Sequence, residues 1–161
     1  MDFKLGEICP VAKFRSGVRN VEVYKAQCVF VFMEDTGKWF EQARQDYAVA
    51  LHLLSSEFYW AAAFHSQQSV EKALKALLYK HGRVLWSHDL VELGEEIQKQ
   101  TGLDLSPIME DLEKLTVHYT ISRYPDAANA APSKIYTRKT AEELIEGARR
   151  VLEWVEQNLR S

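Results

Sequence analysis

The sequence predicts an all-α protein: an antiparallel, up-and-down four-helix bundle with a fifth, C-terminal helix and a short non-helical N-terminal extension. Three observations carry that expectation. From Thr36 onward apolar residues recur at intervals of three and four, the period of an amphipathic helix. The breaks between these stretches hold helix stops and starts, Gly82, Gly102 and Ser106-Pro107. The link at Ser55-Ser56 is so short that the helices on either side must fold back antiparallel.

The first 33 residues lack this period. They alternate instead, Val21/Val23 and then Val29/Val31, which suggests either a β-hairpin or an upstream stretch preceding a true start at Met33. The expected division is therefore an extension over 1–33 and a helical bundle over 34–161. Helix one runs from about Gly37 to Leu54, capped by Asp35 or Thr36, with Trp39, Ala43, Tyr47, Ala50 and Leu54 on one face. Helix two, about Glu57 to His81, turns Tyr59, Ala63, Val70, Leu74 and Leu77 inward. Its run Ala61-Ala62-Ala63 lets a neighbouring backbone come close, and Gly82 stops it. Helix three follows Ser87 as N-cap and buries Leu90, Leu93 and Ile97 before Gly102. Helix four opens at Ser106-Pro107 with the stripe Ile108, Leu112, Leu115 and Tyr119, after which 121–136 form a long loop. In helix five, Thr140 and Glu143 make a capping box, and Ala141, Leu144, Ala148, Val151, Val155 and Leu159 form the seam.

Composition bounds the class. The chain has 161 residues, 47% hydrophobic and 27% charged, the balance of one soluble globular domain with an appendage. Its longest apolar run, Cys28 to Met33, falls far short of the roughly 18–20 residues that cross a bilayer. Both cysteines, Cys9 and Cys28, lie in the extension, and no secretion signal is evident, so a cytoplasmic location is expected. Net charge is −3, with an excess of two positive charges in residues 1–33 and a mildly acidic remainder. An acidic bundle is a poor general coat for nucleic acid, whose binding rests on phosphate neutralisation, so any such contact must be local. Trp60, Phe64 and Trp154 fall off or at the edge of the main stripes and suggest an exposed apolar patch suited to self-association.

Most catalytic signatures are absent: no phosphate loop, no Cys-x-x-Cys pair, and no two histidines spaced i,i+4 on one helix. No catalytic residue, metal ligand or cofactor is therefore assigned. Three features remain. Gln67, Gln68, Glu71, Lys72 and Lys75 form a polar block in helix two, either a solvated face or the lining of a groove. Ser87-His88-Asp89 opens helix three, where backbone N–H groups favour a phosphate but Asp89 competes for the same end. Arg123-Tyr124 in the long loop offers a planar fork for phosphate and a ring on which a base can stack, or else an ion pair and packing on the bundle. Lys75, His88, Asp89, Arg123 and Tyr124 are the candidate nucleotide-binding residues.

Together these residues resemble the HEPN family. The resemblance runs from about Lys38 to Trp154 through Ala43-Arg44-Gln45-Asp46-Tyr47, Tyr59-Trp60-Ala61-Ala62-Ala63-Phe64 and the stretch Gln67 to Leu78. It continues in His88-Asp89-Leu90 and Arg123-Tyr124-Pro125. It implies a homodimer of helical bundles linked to nucleotides, often partnered by a separately encoded minimal nucleotidyltransferase in a toxin–antitoxin-type pair. Some branches of the family are metal-independent ribonucleases that use an Arg and a His four to six residues apart. Arg83 and His88 match that spacing, but they sit between helices two and three rather than near the last helices. A non-catalytic nucleotide- or partner-binding subunit is thus the leading expectation, with an endoribonuclease toxin as the alternative and RNA as a partner only in that alternative.

Overall fold

A computed structural model of the chain describes the backbone of residues 21–161 and the side chains from Asp35 onward. The described residues are helical and contain no strand. The elements are α1 (Val21–Ser55), α2 (Tyr59–Lys80), α3 (Leu90–Thr101), α4 (Met109–Thr116), α5 (His118–Ile121), α6 (Pro125–Ala128), α7 (Pro132–Ile135) and α8 (Arg138–Arg160).

α2 is the central element. It packs along α1, against α8, and against α3. It is buried on several sides because it touches several neighbours, and Val70, Leu74, Leu77 and Leu78 are completely or almost completely buried. Small residues set the closest approach: Ala43 and Ala50 of α1 and Ala62 and Ala63 of α2 are all fully buried. The other end of the core gathers Leu90, Leu93 and Ile97 of α3 with Leu105, Ile108, Leu112 and Leu115 around α4, closed by Val151 and Val155 of α8. Each such leucine or isoleucine contributes about 1.5–3 kcal/mol through burial, which is what holds the short α3 and α4 in place.

The glycine stops form as the sequence predicts. Gly82 (φ 68°) and Gly102 (φ 73°) take the left-handed conformation beyond α2 and α3, and Gly82 and Arg83 donate backward to Tyr79 and Leu78 carbonyls. Several starts differ. The backbone is helical from Val21, so Val21, Val23, Val29 and Val31 do not form a hairpin, and Asp35 and Thr36 lie inside α1 rather than at its cap. No glycine or proline stands between Val21 and Asp35, and adding a residue to an existing helix gains a hydrogen bond at each step. A lone two-stranded ribbon has no comparable support. Residues 1–20 of the extension expected over 1–33 lie outside the described residues.

Asp89, not Ser87, caps α3, accepting from the N–H groups of Val91 and Glu92. The carboxylate stands directly before Leu90, whereas the Ser87 hydroxyl accepts from the Asp89 N–H and donates to Glu92. α8 begins at Arg138, capped by Thr137, whose hydroxyl accepts from the Thr140 N–H at 3.2 Å. The expected box at Thr140 is therefore displaced by one turn. α4 starts at Met109, because Asp104 first holds the Ser106 backbone in a turn. The long loop contains α6 and α7, two single turns that each begin on a proline. Trp60 and Trp154 pack partly buried on the main core, so they do not mark the exposed patch expected of them. The exposed tryptophan is Trp86, with 92% of its surface open.

Candidate functional site

The polar block of α2 is not a solvated face. Gln67 is fully buried, Glu71 is 4% exposed and Lys75 is 8% exposed. Their i,i+4 spacing stacks them along one side of the helix, and the same geometry aligns Gln68 with Lys72. Lys75 Nζ donates to Glu71 Oε1 at 2.8 Å and lies 5.7 Å from the centre of the Trp39 ring. Gln67 and Gln68 each donate to Glu71 Oε2 at 3.2 Å. Burial pushes the Glu71 carboxyl upward, but the hydrogen bonds from Lys75 and His88 outweigh it, and the net direction is downward. Glu71 therefore stays ionised.

α1 supplies a second carboxylate. Asp46 is almost fully buried and receives Lys72 Nζ at 2.8 Å and the His65 ring at 3.0 Å. Burial again opposes ionisation, and the hydrogen bonds from His65 and Lys72 again win. Lys72 also donates to Gln68 Oε1 at 3.1 Å. His65, Asp46, Lys72, Gln68, Glu71 and Lys75 thus make one continuous chain of matched charges and amides.

His88 joins that chain from the segment between α2 and α3. Its Nδ1 lies 3.1 Å from both Glu71 oxygens, so the ionised carboxylate selects the Nδ1–H tautomer and leaves Nε2 on the far side of the ring. Gln67 Nε2 donates to the His88 carbonyl at 3.2 Å, so backbone and ring are both anchored to α2. The imidazole also stacks on Tyr119 of α5. Arg123 follows one turn later. Its Nε donates to the Tyr119 carbonyl at 2.8 Å, and its guanidinium carbon lies 4.2 Å from the centre of Tyr119, 4.8 Å from Phe64 and 5.0 Å from Tyr124. Arg44, Arg138, Arg149, Arg150 and Arg160 all pair with carboxylates. Arg123 pairs with none among the described residues. Three aromatic rings hold a cation whose outer N–H groups stay available to an anion.

Of the five candidate residues, Lys75, His88 and Arg123 are drawn together through Glu71 and Tyr119. Tyr124, half exposed, flanks Arg123. Asp89 stands next to His88 in the chain, but its carboxylate faces the α3 N–H groups and accepts from the Thr116 hydroxyl at 3.3 Å. It fills the helix end that a phosphate would occupy. Asp46, His65 and Tyr119 belong to the site without having been singled out as candidate site residues. Tyr119 was legible as the residue four before Arg123; nothing in the sequence links Asp46 of α1 to α2. Arg83 makes no hydrogen bond or ion pair with His88 among the described residues.

Among the described residues no group of three or more His, Cys, Asp or Glu side chains is placed to hold a metal ion, and no helix is long and apolar enough to cross a membrane. The HEPN domain family model matches residues 36–158. The Methanocaldococcus jannaschii protein named "Putative toxin MJ1304" is 33% identical over 147 residues, covering 80% of this chain and 95% of that protein. The crystal structure of TT1696 from Thermus thermophilus aligns with TM-score 0.71 at 34% identity, over 76% of this chain and 96% of that one. That of ST0689, an archaeal HEPN homologue, aligns with TM-score 0.64 at 35% identity over the same shares. Residue pattern, bundle and matches agree: the chain belongs to the HEPN domain family.

Proposed function

We propose that this protein is the nucleotide-recognising subunit of a toxin–antitoxin-type pair, acting as a homodimer with a separately encoded minimal nucleotidyltransferase. The observation that carries this reading is Arg123, a cation held by Tyr119, Phe64 and Tyr124 with no carboxylate partner among the described residues. A phosphate would take its outer N–H groups, with His88 on the other side of Tyr119 and the half-exposed Tyr124 free to stack on a base. The name of the archaeal relative supports the toxin–antitoxin setting. The matched ion pairs of Lys72 and Lys75 support a binding role, since both lysines are spent on shaping the site.

The second reading is a metal-independent endoribonuclease, favoured by the relative's name and by the spacing of Arg83 and His88. An acid–base pair of that kind needs both members. The test is ATP binding by calorimetry and RNA cleavage without metal, on the parent protein and on Arg123→Ala and Arg83→Ala. Arg123→Ala should weaken ATP binding about tenfold or more, the loss of one charge-assisted contact. Arg83→Ala should leave binding unchanged. Loss of RNA cleavage in a folded Arg83→Ala protein overturns the first reading in favour of the second. Sedimentation at micromolar concentration should give twice the 18.6 kDa chain mass.

A further inference from the structure

We propose that the face of the bundle around Trp39 is where two copies of the chain meet, each seating its Trp86 in a hollow of the other. The inference rests on the homodimer reading and names the surface that the dimer would use. Trp86 stands in the segment between α2 and α3 with 92% of its surface open. An aromatic ring left in water forgoes the burial of about 150–250 Å² that such side chains provide. Tryptophan is also among the residues most enriched as anchors at the centre of protein interfaces.

A hollow of about 260 Å³ lies close by, walled by Lys38, Trp39 and Gln42 of α1 and Lys72 of α2. Three of these four residue types are polar, yet hydrocarbon faces the hollow, because their polar ends are drawn elsewhere. Lys72 Nζ is held by Asp46 at 2.8 Å and by Gln68 at 3.1 Å. Lys38 Nζ lies 3.7 Å from Asp35, and the Gln42 amide leans towards Asp46 at 3.5 Å. The methylene stems stay at the hollow beside the Trp39 ring. That ring is fixed by its stack on Tyr79, with centroids 5.6 Å apart and planes 21° from parallel.

Knob and hollow share a wall. Trp39 lines the hollow and also lines a small recess with Tyr79, Val84, Leu85 and Trp86. The two features therefore lie on one face, but Trp86 is not among the walls of the hollow and does not fill it. A projecting ring next to an apolar hollow is self-complementary under a two-fold axis, where the contact made in one direction is repeated in the other. The lysines lining this face are matched within the chain, Lys38 by Asp35, Lys72 by Asp46 and Lys75 by Glu71. Such a face suits another apolar, charge-balanced surface better than a polyanion. A stable interface takes roughly 1,200–2,000 Å² in total. The two indoles act as anchors within it, and the partly exposed Trp39, Tyr79, Val84 and Leu85 extend the contact around them. Each seated indole would also cover the Lys72–Asp46 pair, so the second copy closes one side of the charge network.

The test is sedimentation equilibrium of the full chain over a dilution series. The parent protein should give twice the 18.6 kDa chain mass. Trp86→Ser removes a side chain that is almost wholly open, so helix content by circular dichroism should not change. The dimer dissociation constant should rise about a hundredfold, roughly tenfold for each of two lost anchors. Gln42→Trp, at an exposed position of α1, fills the hollow and should weaken the dimer to a similar degree. An equimolar mixture of the two variants keeps one knob and one matching hollow, and should dimerise more tightly than either variant alone. A monomeric parent overturns the homodimer reading together with this surface. A dimeric parent whose dissociation constant is unmoved by either variant, or a mixture no tighter than its components, overturns this surface alone and places the dimer on another face.

Discussion

The imidazole of His88 lies flat on the phenol ring of Tyr119, with centroids 4.1 Å apart and planes 12° from parallel. The opposite anchors of His88 are both on α2, Glu71 for the ring and Gln67 for the carbonyl. Tyr119 also carries Arg123, 4.2 Å from the ring centre. One phenol therefore organises the imidazole and the guanidinium together. Only the ring face takes part in these contacts, which separates its role from that of the hydroxyl. Tyr119→Phe should bind ATP like the parent protein. Tyr119→Leu should weaken binding, because it removes the ring face on which both groups pack. Calorimetry on the two variants checks this, and equal losses in both would place the hydroxyl at the ligand.

Glu71 is the hinge of the buried charge network. It neutralises Lys75 and orients His88, and both depend on its ionised form. Removing one member of a buried pair leaves a charge without compensation and costs about 3–5 kcal/mol, whereas replacing both by apolar residues of similar size is often close to neutral. Glu71→Gln keeps some hydrogen bonding, so its expected cost is near the low end, about 3 kcal/mol. Glu71→Met combined with Lys75→Met should recover most of that stability and still lose nucleotide binding, since His88 is no longer held. Urea unfolding of the single and double variants measures the difference.

The sequence made the fold easier to read than the site, for a physical reason. Helices announce themselves through local spacing, and the inward residues Ala43, Leu74, Leu93, Leu112 and Val155 are buried as their periodicity implies. Caps were less legible: Ser87, Thr140 and Ser106 are good capping residue types, yet Asp89 and Thr137 take the role because each stands one residue before the first helical turn. The site was half legible. Lys75, Glu71, His88 and Arg123 could be picked out by residue type and spacing, but the burial of the polar block could not. A run of Gln, Glu and Lys looks solvated on a helix until Asp46, from a different helix, is seen to pair with its Lys72. That contact joins residues far apart in the chain and leaves no local trace.

Asp111 and Gly147 are coupled through the absence of a side chain. A Cβ on Gly147 would lie 2.9 Å from Asp111 Oδ1, the oxygen that accepts from Arg150 at 2.6 Å. Asp111 is buried and cannot retreat without loosening the pair. Gly147→Ala gains helix propensity of about 1 kcal/mol, but crowding of this kind typically costs about 1–3 kcal/mol. The net expectation is a modest loss of stability. Combining it with Asp111→Asn should bring no relief, because the amide keeps the same volume. Asp111→Ala should remove the clash and make Gly147→Ala neutral or stabilising in that background. A double-mutant cycle from thermal unfolding reads the coupling directly.

His118 sets a pH window of its own. Burial holds its folded value down at about 4, against 6.5 for a free imidazole. Above pH 6.5 both folded and unfolded chains carry it neutral, and it adds no pH dependence. Between 6.5 and about 4 the unfolded chain takes up a proton that the folded chain refuses, so stability falls as pH falls and levels off below that. The full effect is roughly 3 kcal/mol at most, and about 2 kcal/mol of it should appear by about pH 5. Asp46 and Glu71 act elsewhere: their lowered values give stability that is present above the unfolded carboxylate range and disappears only as pH drops through the folded values, below about 4. His81 is also shifted downward by burial, but it is exposed enough to count for less. Urea unfolding at about pH 7 and about pH 5 should therefore show a clear loss in the parent protein and a much smaller one in His118→Gln, whose amide oxygen can still accept from Tyr136. If the two proteins lose the same stability, His118 is not the group responsible and the window belongs to another titration.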